Sequence, residues 1–460
     1  MTEGRLPASF RDPAGYVFRR GGELYRCITH RHADDYAALM ASGLYEELTA
    51  AGLLIPHAEA PVELADDSNA HRVLRPEPIE FVSYPYEWCF GQLQAAALCS
   101  LEIQRRAVAR GMALKDASAY NVQFRAGRPV LIDTLSLERY PDGAPWVAYR
   151  QFCEHFLAPL LLVARVDASL GRLLQTHLDG VPLGTASRLL GARAWGSAGA
   201  LMHVVLHARS LRKQGAAHGA RARTAVINRR RLLALLDHLE QVVRGCNWNP
   251  ASTEWAEYGQ SHGYGAESLA AKRQKVADWL VRCAPGVVWD LGANTGDYSR
   301  LAAAAGARVV AFDADPGAVE LNYRRVVAAG ETRLLPLVMD LAAPSPSLGW
   351  NLCERLSLVE RGPADAVLAL ALVHHLAIAR NLPLGMIAEF FSRLGHHLVV
   401  EFVPKDDPMA RRLLAARADV FDEYRPDAFE RVFARSFRVC ERYPISGTSR
   451  TLYLMERQPA

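Results

Sequence analysis

The sequence of 460 residues is long enough for two or three domains, each with its own hydrophobic core. Half of the residues are hydrophobic, 22% are charged and the formal net charge is +4, so the composition excludes a disordered or strongly polyionic chain. No segment approaches the ~18 consecutive apolar residues that a membrane span requires, which excludes an integral helical membrane protein.

The N-terminal stretch and the cysteines indicate a cytoplasmic protein. The first residues, MTEGRLPASFRDPAG, contain no apolar core and therefore do not read as a secretion signal. The 8 cysteines are scattered without C-x-x-C pairs. We therefore interpret them as buried or idle thiols in a reducing compartment, not as disulfides or zinc ligands.

A polar motif stands out in the first half of the chain, LKDASAYNVQFRAGRPVLIDT from Leu114 to Thr134. It resembles the catalytic loop and metal-binding strand of the protein-kinase-like fold, because Asp116 and Asn121 keep the D-x-x-x-x-N spacing and a predicted hairpin leads to Asp133. The resemblance implies that Asp116 faces an acceptor hydroxyl and that Asn121 and Asp133 bind magnesium. Upstream, IEFVSYPYEW (79–88) resembles the hinge strand, and the segment after it the helix behind that strand.

The motif departs from the kinase-like pattern in ways that predict a degenerate site. Leu114 stands where that family usually has histidine, and Thr134 follows the metal-binding acid where it has phenylalanine. No lysine precedes Lys115, so Arg26 is the cation that could approach phosphates from a small-lobe strand. An unrelated helix–loop–hairpin remains the alternative. We predict an α+β recognition domain over residues 1–165 that is a poor phosphotransferase or none.

Residues 166–250 are predicted to form a helical, basic connecting region. No acid occurs between Asp179 and Asp237, whereas 10 positive charges do: Arg188, Arg193, Arg209, Arg212, Lys213, Arg221, Arg223, Arg229, Arg230 and Arg231. Such a tract can attract RNA, an anionic membrane surface or a phosphorylated substrate. Trp195 is its one interleaved aromatic residue, which disfavours nucleic acid. We predict that the tract forms a solvated helical face or a docking strip for the acidic remainder of the chain.

The chain divides near residue 250, and its second half has a regular α/β pattern. A Gly-, Ser-, Asn- and Pro-rich segment runs from Gly245 to Gly265. After it, helical pieces separate five predicted strands: Val287–Leu291, Arg308–Asp313, Leu334–Asp340, Ala366–Leu372 and His397–Phe402. FRVCERYPI and RTLYLMER, joined by an SGTS turn, predict a closing hairpin. We therefore predict a Rossmann-like, seven-stranded α/β domain over residues 251–460.

The loop after the first of these strands reads G-A-N-T-G, from Gly292 to Gly296. It fits the dinucleotide fingerprint G-x-G-x-x-G poorly, because Asn294 replaces the middle glycine and no third glycine follows. Asp297 falls in the first turn of the next helix, where a pyrophosphate would need bare amides and a positive dipole. The loop therefore indicates a ligand without phosphates.

The block from about Trp255 to Arg457 resembles a class I S-adenosylmethionine-dependent methyltransferase, on the motif DLGANTG and on acids after two further strands. The resemblance implies that Asp290, Gly292, Asn294 and Gly296 form the cofactor loop. It further implies that an acid binds the ribose hydroxyls, a role that Asp313 matches, with Asp315 as a near neighbour. It also implies that a second acid binds the adenine amino group, and Asp340 matches that role. A strand–turn–helix with capping acids and no ligand is the alternative.

Upstream of the loop, Tyr264 and Tyr258 are candidates to close over the methionine end of S-adenosylmethionine, or else they pack the linker onto the sheet. The acceptor is expected beyond the fourth and fifth strands. There His375, His374 and Glu401 are the candidate catalytic residues, with an imidazole of near-neutral pKa as the base. The alternative is that one histidine caps a loop and Glu401 merely orients it.

The acceptor itself is defined only as a class. LVHHL after the fourth strand lacks the Asn/Asp-Pro-Pro-aromatic run of many amide and nucleobase methyltransferases. We therefore expect a small-molecule or carrier-bound acceptor and no nucleic acid, with the N-terminal half recognising the acceptor or a partner. A bifunctional kinase and methyltransferase, and a non-catalytic cofactor-binding scaffold, are the alternatives.

Overall fold

The computed structural model describes residues 3–216, 227–250, 264–415 and 418–459. These fall into two compact units, Met1–Trp248 with Gly349–Arg355, and Asn249–Leu348 with Leu356–Ala460. The first break lies close to the boundary predicted near residue 250. The inclusion of Gly349–Arg355 in the first unit was not predicted, and a separate domain ending at residue 165 stays a prediction. Tyr258 lies outside the described residues.

The first unit begins with a five-stranded antiparallel sheet in the order β1-β2-β3-β5-β4. Its strands are β1 (Gly4–Arg5), β2 (Gly15–Arg20), β3 (Glu23–Thr29), β4 (His57–Ala60) and β5 (Ala70–Pro76). Two helices, α1 (Ala33–Ala41) and α2 (Leu44–Ala50), connect β3 to β4. Apolar side chains pack between this sheet and α1, namely Ala14, Ile28, Tyr36, Leu74 and Leu135.

The long helix α3 (Phe90–Ala109) follows where it was predicted, but the hinge strand predicted over residues 79–88 is wrong. Pro85–Glu87 is a turn of 3-10 helix instead. The prolines at positions 78 and 85 have no N–H for a strand ladder, which explains the difference. The predicted hairpin is confirmed as β7 and β8, and its neighbours pair as β6 with β9: β6 (Met112–Leu114), β7 (Val122–Arg125), β8 (Arg128–Leu131) and β9 (Leu137–Arg139).

The rest of the first unit is helical in its described part, as predicted for the basic region. π-helical turns at Cys153–Leu157 and Leu201–Leu206 join α4 to α5 and α8 to α9. The helices are α4 (Tyr149–Phe152), α5 (Ala158–Arg165), α6 (Leu173–Thr176), α7 (Leu183–Leu190), α8 (Ala198–Ala200), α9 (His207–Ala216) and α10 (Arg229–Gly245).

The second unit contains a seven-stranded sheet in the order β12-β11-β10-β13-β14-β16-β15. Its strands are β10 (Val287–Leu291), β11 (Arg308–Asp313), β12 (Leu334–Val338), β13 (Ala364–Ala369), β14 (Gly395–Phe402), β15 (Phe437–Pro444) and β16 (Thr451–Arg457). β10 to β14 are parallel, and β16 lies antiparallel between β14 and β15. The five predicted strands and the closing hairpin are thus present, with boundaries shifted by a few residues.

The parallel strands β10 to β14 are mostly buried and nearly continuous hydrophobic runs, as expected for strands that helices cover on both faces. The helices described in this unit are α11 (Ala266–Cys283), α12 (Asp297–Ala304), α13 (Pro316–Ala329), α14 (Leu384–Leu394), α15 (Pro408–Leu414) and α16 (Pro426–Phe433). One core cluster contains Trp279, Val288 and Leu368. Among the described residues, no helix is long and apolar enough to cross a membrane.

Candidate functional site

A cavity of about 520 Å³ opens at the carboxyl ends of the parallel strands in the second unit. This is the edge where open α/β sheets bind ligands. Seven of the ten predicted site residues of this unit line it: Tyr264, Asp290, Gly292, Asn294, Asp313, Asp340 and His375. The other three, Gly296, His374 and Glu401, lie outside the lining and are described below.

The glycine loop between β10 and α12 alternates through left-handed backbone conformations. Gly292, Asn294 and Gly296 have φ of +73°, +48° and +81°. A Cβ on Gly296 would lie 2.5 Å from Asn322 Nδ2 and 2.7 Å from Arg300 Nη1, so a side chain there is excluded by both strain and space. Gly296 therefore packs against Asn322 and Arg300, outside the cavity lining, whereas Gly292 and Asn294 line the cavity.

The backbone N–H groups of the loop are committed to acceptors within the protein. Gly292 and Ala293 donate to the Phe312 carbonyl at 2.8 and 2.9 Å, and Gly296 donates to the Ala293 carbonyl at 2.9 Å. Asn294 N donates to Asp313 Oδ2 at 2.7 Å, and Thr295 N donates to Asn294 Oδ1 at 2.8 Å. A phosphate-binding loop points such groups at its ligand. These hydrogen bonds support the expectation of a ligand without phosphates.

Two carboxylates inside the cavity have raised pKa values. Burial raises the pKa of Asp290 to about 7, opposed by a hydrogen bond from Ser299 and reinforced by the charge of Asp313. Ser299 Oγ donates to Asp290 Oδ2 at 2.6 Å. Burial also raises the pKa of Asp313 to about 6, although Asp313 accepts backbone hydrogen bonds from Asp315 and Asn294. Both acids therefore change charge close to neutral pH.

Asp340 lies two residues beyond β12, the strand that β11 separates from β10 in the sheet. Its Oδ1 accepts from Ala342 N at 3.0 Å and its Oδ2 accepts from Arg380 Nη2 at 3.2 Å. Asp315 caps α13 instead, since its Oδ1 accepts from Gly317 N at 2.7 Å. Asp340 and Arg380 thus form one edge of the cavity.

The two predicted catalytic histidines have different surroundings. Their ring centroids lie 4.2 Å apart, but His374 is 1% exposed, and neither of its ring nitrogens has a hydrogen-bond partner among the described residues. His375 lines the cavity. Burial, together with the charge of Arg450, lowers the pKa of His375 to about 4. The near-neutral pKa expected from sequence is therefore wrong, and the His375 imidazole is neutral at physiological pH.

Glu401 belongs to a buried ion cluster, here the Lys272 cluster: Tyr264, Lys272, Glu401, Asp407 and Arg450. Lys272 Nζ donates to Glu401 Oε2 at 2.6 Å, and Tyr264 donates its hydroxyl to Glu401 Oε1. Arg450 Nη1 lies 3.5 Å from Glu401 Oε1, and Arg450 Nε donates to Asp407 Oδ2 at 2.7 Å. The cluster ties α11 to the ends of β14 and β16.

These contacts give Glu401 a role different from either sequence interpretation. Burial raises the pKa of Glu401, but the charges of Lys272 and Arg450 outweigh this, so the pKa is lowered and the carboxylate is ionised. An ionised carboxylate paired to two cations is a weak base. Its partners are these cations and Tyr264, not a histidine that it orients.

In the first unit, the three residues of the kinase-like motif do come together. Ser136 Oγ donates to Asp133 Oδ2 at 2.7 Å and accepts from Asn121 Nδ2 at 3.1 Å. Burial and the nearby charge of Asp133 raise the pKa of Asp116. Arg26, on β3, forms an ion pair with Asp133. Among the described residues, no group of three or more His, Cys, Asp or Glu side chains is positioned for a metal ion.

The chain is 37% identical to nodulation protein NoeA of Rhizobium meliloti (strain 1021) over 461 aligned positions, which cover 99% of this chain and 96% of that protein. It belongs to the NoeA family. No family model matches the sequence. The aligned positions extend through both units.

Solved structures similar to this NoeA-family chain include several methyltransferases. WbdD, described as a bifunctional kinase-methyltransferase, shares 16% identity over 44% of this chain and 42% of its own, with a TM-score of 0.32. Magnesium protoporphyrin IX methyltransferase (ChlM) of Synechocystis PCC 6803 shares 19% identity over 45% of this chain and 95% of its own, with a TM-score of 0.32. N-methyltransferase NodS of Bradyrhizobium japonicum WM9 shares 10% identity over 42% of this chain and 98% of its own, with a TM-score of 0.30. Likenesses of this size do not define an activity.

Sequence reasoning missed the cationic members of the site in this NoeA-family chain. Lys272 and Arg450 line the cavity, yet they stand 178 positions apart and neither belongs to a motif. One signal was available. Lys272 interrupts the apolar face of α11 at the spacing that also places Ser268, Val276 and Trp279 in the interior, and a lysine on a buried face implies a buried acidic partner.

Proposed function

We propose that this NoeA-family chain is an S-adenosylmethionine-dependent methyltransferase whose second unit carries out the chemistry. The observation that carries the proposal is the loop from Gly292 to Gly296, whose amides are all occupied internally while the cavity beside it is lined by Asp290 and Asp313. The cavity offers acidic side chains, and the loop has no backbone N–H group left to bind a phosphate. Such a site suits a nucleoside that carries a positive charge and no phosphate. The strand order, with β16 antiparallel between β14 and β15, agrees with the class I arrangement that the sequence resemblance implies.

The lining residues fit this cofactor by chemistry. Asp313, at the end of β11, is the acceptor for the ribose hydroxyls, and Asp340 is the acceptor for the adenine amino group. Gly292 allows close backbone approach, and Tyr264 closes over the methionine end. The cavity of about 520 Å³ lies within the range of ligand sites. When bound, S-adenosylmethionine supplies an electrophilic methyl group on sulfur.

On the acceptor side, His375 is the residue that we propose to contact the methyl acceptor. Methyl transfer depends mainly on alignment, and it needs a base only when the nucleophile carries a proton. The neutral imidazole of His375 can accept a hydrogen bond from such a nucleophile and orient it. Glu401 is a positioning residue, since it holds Tyr264 and Lys272 at the cavity wall. We propose a small-molecule or carrier-bound acceptor, recognised with the help of the first unit.

Turnover is the experiment that tests this function. Purified protein is incubated with S-adenosylmethionine and a cell extract as the source of acceptor, and S-adenosylhomocysteine is measured. We expect formation that is lost in Asp313→Ala and kept in Asp278→Ala, which removes an exposed acid of α11. Cofactor binding without turnover in any extract would favour the alternative of a non-catalytic scaffold. A labelled acceptor recovered from the extract would identify the substrate.

The bifunctional alternative is disfavoured by the ion pair between Arg26 and Asp133. Phosphoryl transfer needs a free metal-binding acid and a cation on the phosphates at the same time. In this chain the candidate cation neutralises the candidate acid. We therefore propose that the first unit serves recognition and not phosphoryl transfer.

A further inference from the structure

Four large apolar side chains are exposed on one short stretch of the basic region. Leu189 is 39% exposed, Trp195 69%, Met202 50% and Leu206 47%. Single exposed apolar residues are ordinary on protein surfaces, but a group of them marks a site of interaction. We name the surface formed by residues 188–212 the 188–212 surface.

The helical run from α8 through the π-helical turn to α9 presents this surface on its outer side. Its inner side chains are buried, namely Gly199, Ala200, His203, Val204, Val205 and Ala208. Met202, Leu206 and Arg209 are exposed and follow one another at spacings of four and three, which places them in one stripe along a helix. Apolar and cationic groups therefore share one face.

The inner side is fixed firmly to the rest of the first unit. His203 is fully buried, and its two ring nitrogens lie 2.7 Å from the Tyr149 hydroxyl and 2.8 Å from His238 Nδ1. A Cβ on Gly199 would lie 2.3 Å from a methyl group of Val242, so the helical run and α10 are in close contact. The helical run cannot rotate to bury Met202 and Leu206 without breaking these contacts.

Positive charge surrounds the exposed apolar groups. Arg188, Arg193, Arg209 and Arg212 are all exposed, and so are Arg229, Arg230 and Arg231 at the start of α10. The sequence between Asp179 and Asp237 contains no acid that could neutralise them. Among the residues that the structure describes, these arginines have no acidic partner within ion-pair distance, so the surface combines exposed apolar side chains with unpaired cations.

We propose that the 188–212 surface binds peripherally to an anionic phospholipid bilayer. Trp195, Met202 and Leu206 enter the boundary between headgroups and acyl chains, and the arginines contact lipid phosphates, which is how basic amphipathic helices bind membranes. A solvated face accounts for the charges but not for the exposed Trp195 and Met202. An RNA surface would place several aromatic side chains among the cations, and Trp195 is the one in this stretch. The proposal is independent of the activity of the second unit.

Vesicle co-sedimentation tests this proposal with the full chain. Vesicles of phosphatidylcholine alone are compared with an equal mixture of phosphatidylcholine and phosphatidylglycerol. We expect binding to the mixed vesicles only, weakening as salt is added. The double variant Arg209→Gln/Arg212→Gln should lower the partition coefficient by more than about tenfold, because each basic residue near an anionic surface contributes roughly fivefold. The double variant Met202→Ser/Leu206→Ser should lower it to a similar extent.

Matched controls come from the second unit. Met386 is 60% exposed on α14, so Met386→Ser removes an equally exposed apolar side chain, and Arg435→Gln removes an exposed arginine. Both should bind vesicles like the unchanged chain, and circular dichroism should show all variants folded. The proposal is overturned by absence of binding to mixed vesicles at low salt, by binding that the four surface substitutions leave unchanged, or by equal binding to phosphatidylcholine alone. Tighter, variant-sensitive binding to a single-stranded RNA oligonucleotide than to vesicles would also overturn it.

Discussion

Lys272 and Glu401 form an ion pair in the interior of the second unit, with 2.6 Å between Nζ and Oε2 and side chains 3% and 0% exposed. A buried pair is costly to break, because the remaining charge is left without a partner. The pair also lies against the cavity, since Lys272 is part of its wall. The pair therefore contributes both to the stability of the second unit and to the shape of the cavity wall.

Glu401→Gln should destabilise the protein by about 3–5 kcal/mol, because it leaves Lys272 uncompensated in the interior. Denaturant unfolding of the full chain measures this. Glu423→Gln is the matched control, since Glu423 pairs with Arg431 across 3.2 Å on the surface with side chains 76% and 55% exposed. Its unfolding midpoint should be nearly unchanged. Equal stability of the two variants would contradict the role given to the Lys272 cluster.

Gly296→Ala should abolish cofactor binding, because the new Cβ would lie 2.5 Å from Asn322 and displace the loop. Gly330→Ala is the control, since Gly330 also has a left-handed φ, +64°, but has open space around its Cβ position. It should cost only the backbone strain, about 1 kcal/mol. Calorimetric titration with S-adenosylmethionine and thermal unfolding, applied to both variants, separate lost binding from lost stability.

Cofactor affinity should fall as the pH drops below about 6, the pKa to which burial raises Asp313. The folded-state pKa lies above the ordinary value, so this carboxylate takes up its proton earlier than an exposed one, and a protonated acid accepts hydroxyl hydrogen bonds poorly. Below the pKa the affinity should fall by up to about tenfold per pH unit. Asp313→Asn should bind weakly at neutral pH and show a flatter profile between pH values of about 5 and 7. A wild-type affinity constant across that range would refute the assignment.

His375→Ala should lower turnover while leaving S-adenosylmethionine affinity nearly intact, because His375 lines the cavity and is the residue that we propose to contact the methyl acceptor. Since burial lowers its pKa to about 4, the imidazole stays neutral, and no activity loss from its protonation should occur above a pH of about 5. Equal losses of turnover and of cofactor affinity would mark His375 as structural. His374 is 1% exposed, so His374→Ala should instead lower the unfolding temperature.

Incubation with ATP, magnesium and candidate acceptors should yield no phosphorylated product above background. Arg26 pairs with Asp133, so the candidate phosphate-binding cation neutralises the candidate metal-binding acid. Misplacement of these charges costs orders of magnitude in rate. A phosphorylated product that Asp133→Ala abolishes would show that the first unit is a kinase after all.

The sequence predicted the sheet of the second unit well, because β10 and β11 are uninterrupted apolar runs that end at Asp290–Leu291 and Asp313. It also predicted the loop, since glycine and asparagine are the residue types that most readily adopt the left-handed backbone seen at Gly292, Asn294 and Gly296. These features depend on local sequence alone, which is why they could be predicted.

Features that depend on distant partners were missed. Glu401 pairs with Lys272 and Arg450, which lie on separate segments of the chain. The sequence does not show this pairing, and Glu401 was therefore assigned to catalysis. The pKa of His375 could not be predicted, since its burial is a property of the packed unit. The prediction of a hinge strand over residues 79–88 was wrong for a local reason. It gave more weight to the apolar pattern of the segment than to its prolines.

Calorimetric titration of the full chain with S-adenosylmethionine tests the proposal that the loop and acids of the second unit hold this cofactor. Gly292→Val places a side chain where a Cβ already approaches Leu372 to 3.3 Å at a φ of +73°, and Asp313→Ala removes the proposed ribose acceptor. We expect saturable binding by the wild-type chain and by Asp278→Ala, and none by Gly292→Val or Asp313→Ala. Wild-type binding no tighter than that of these two variants would contradict it.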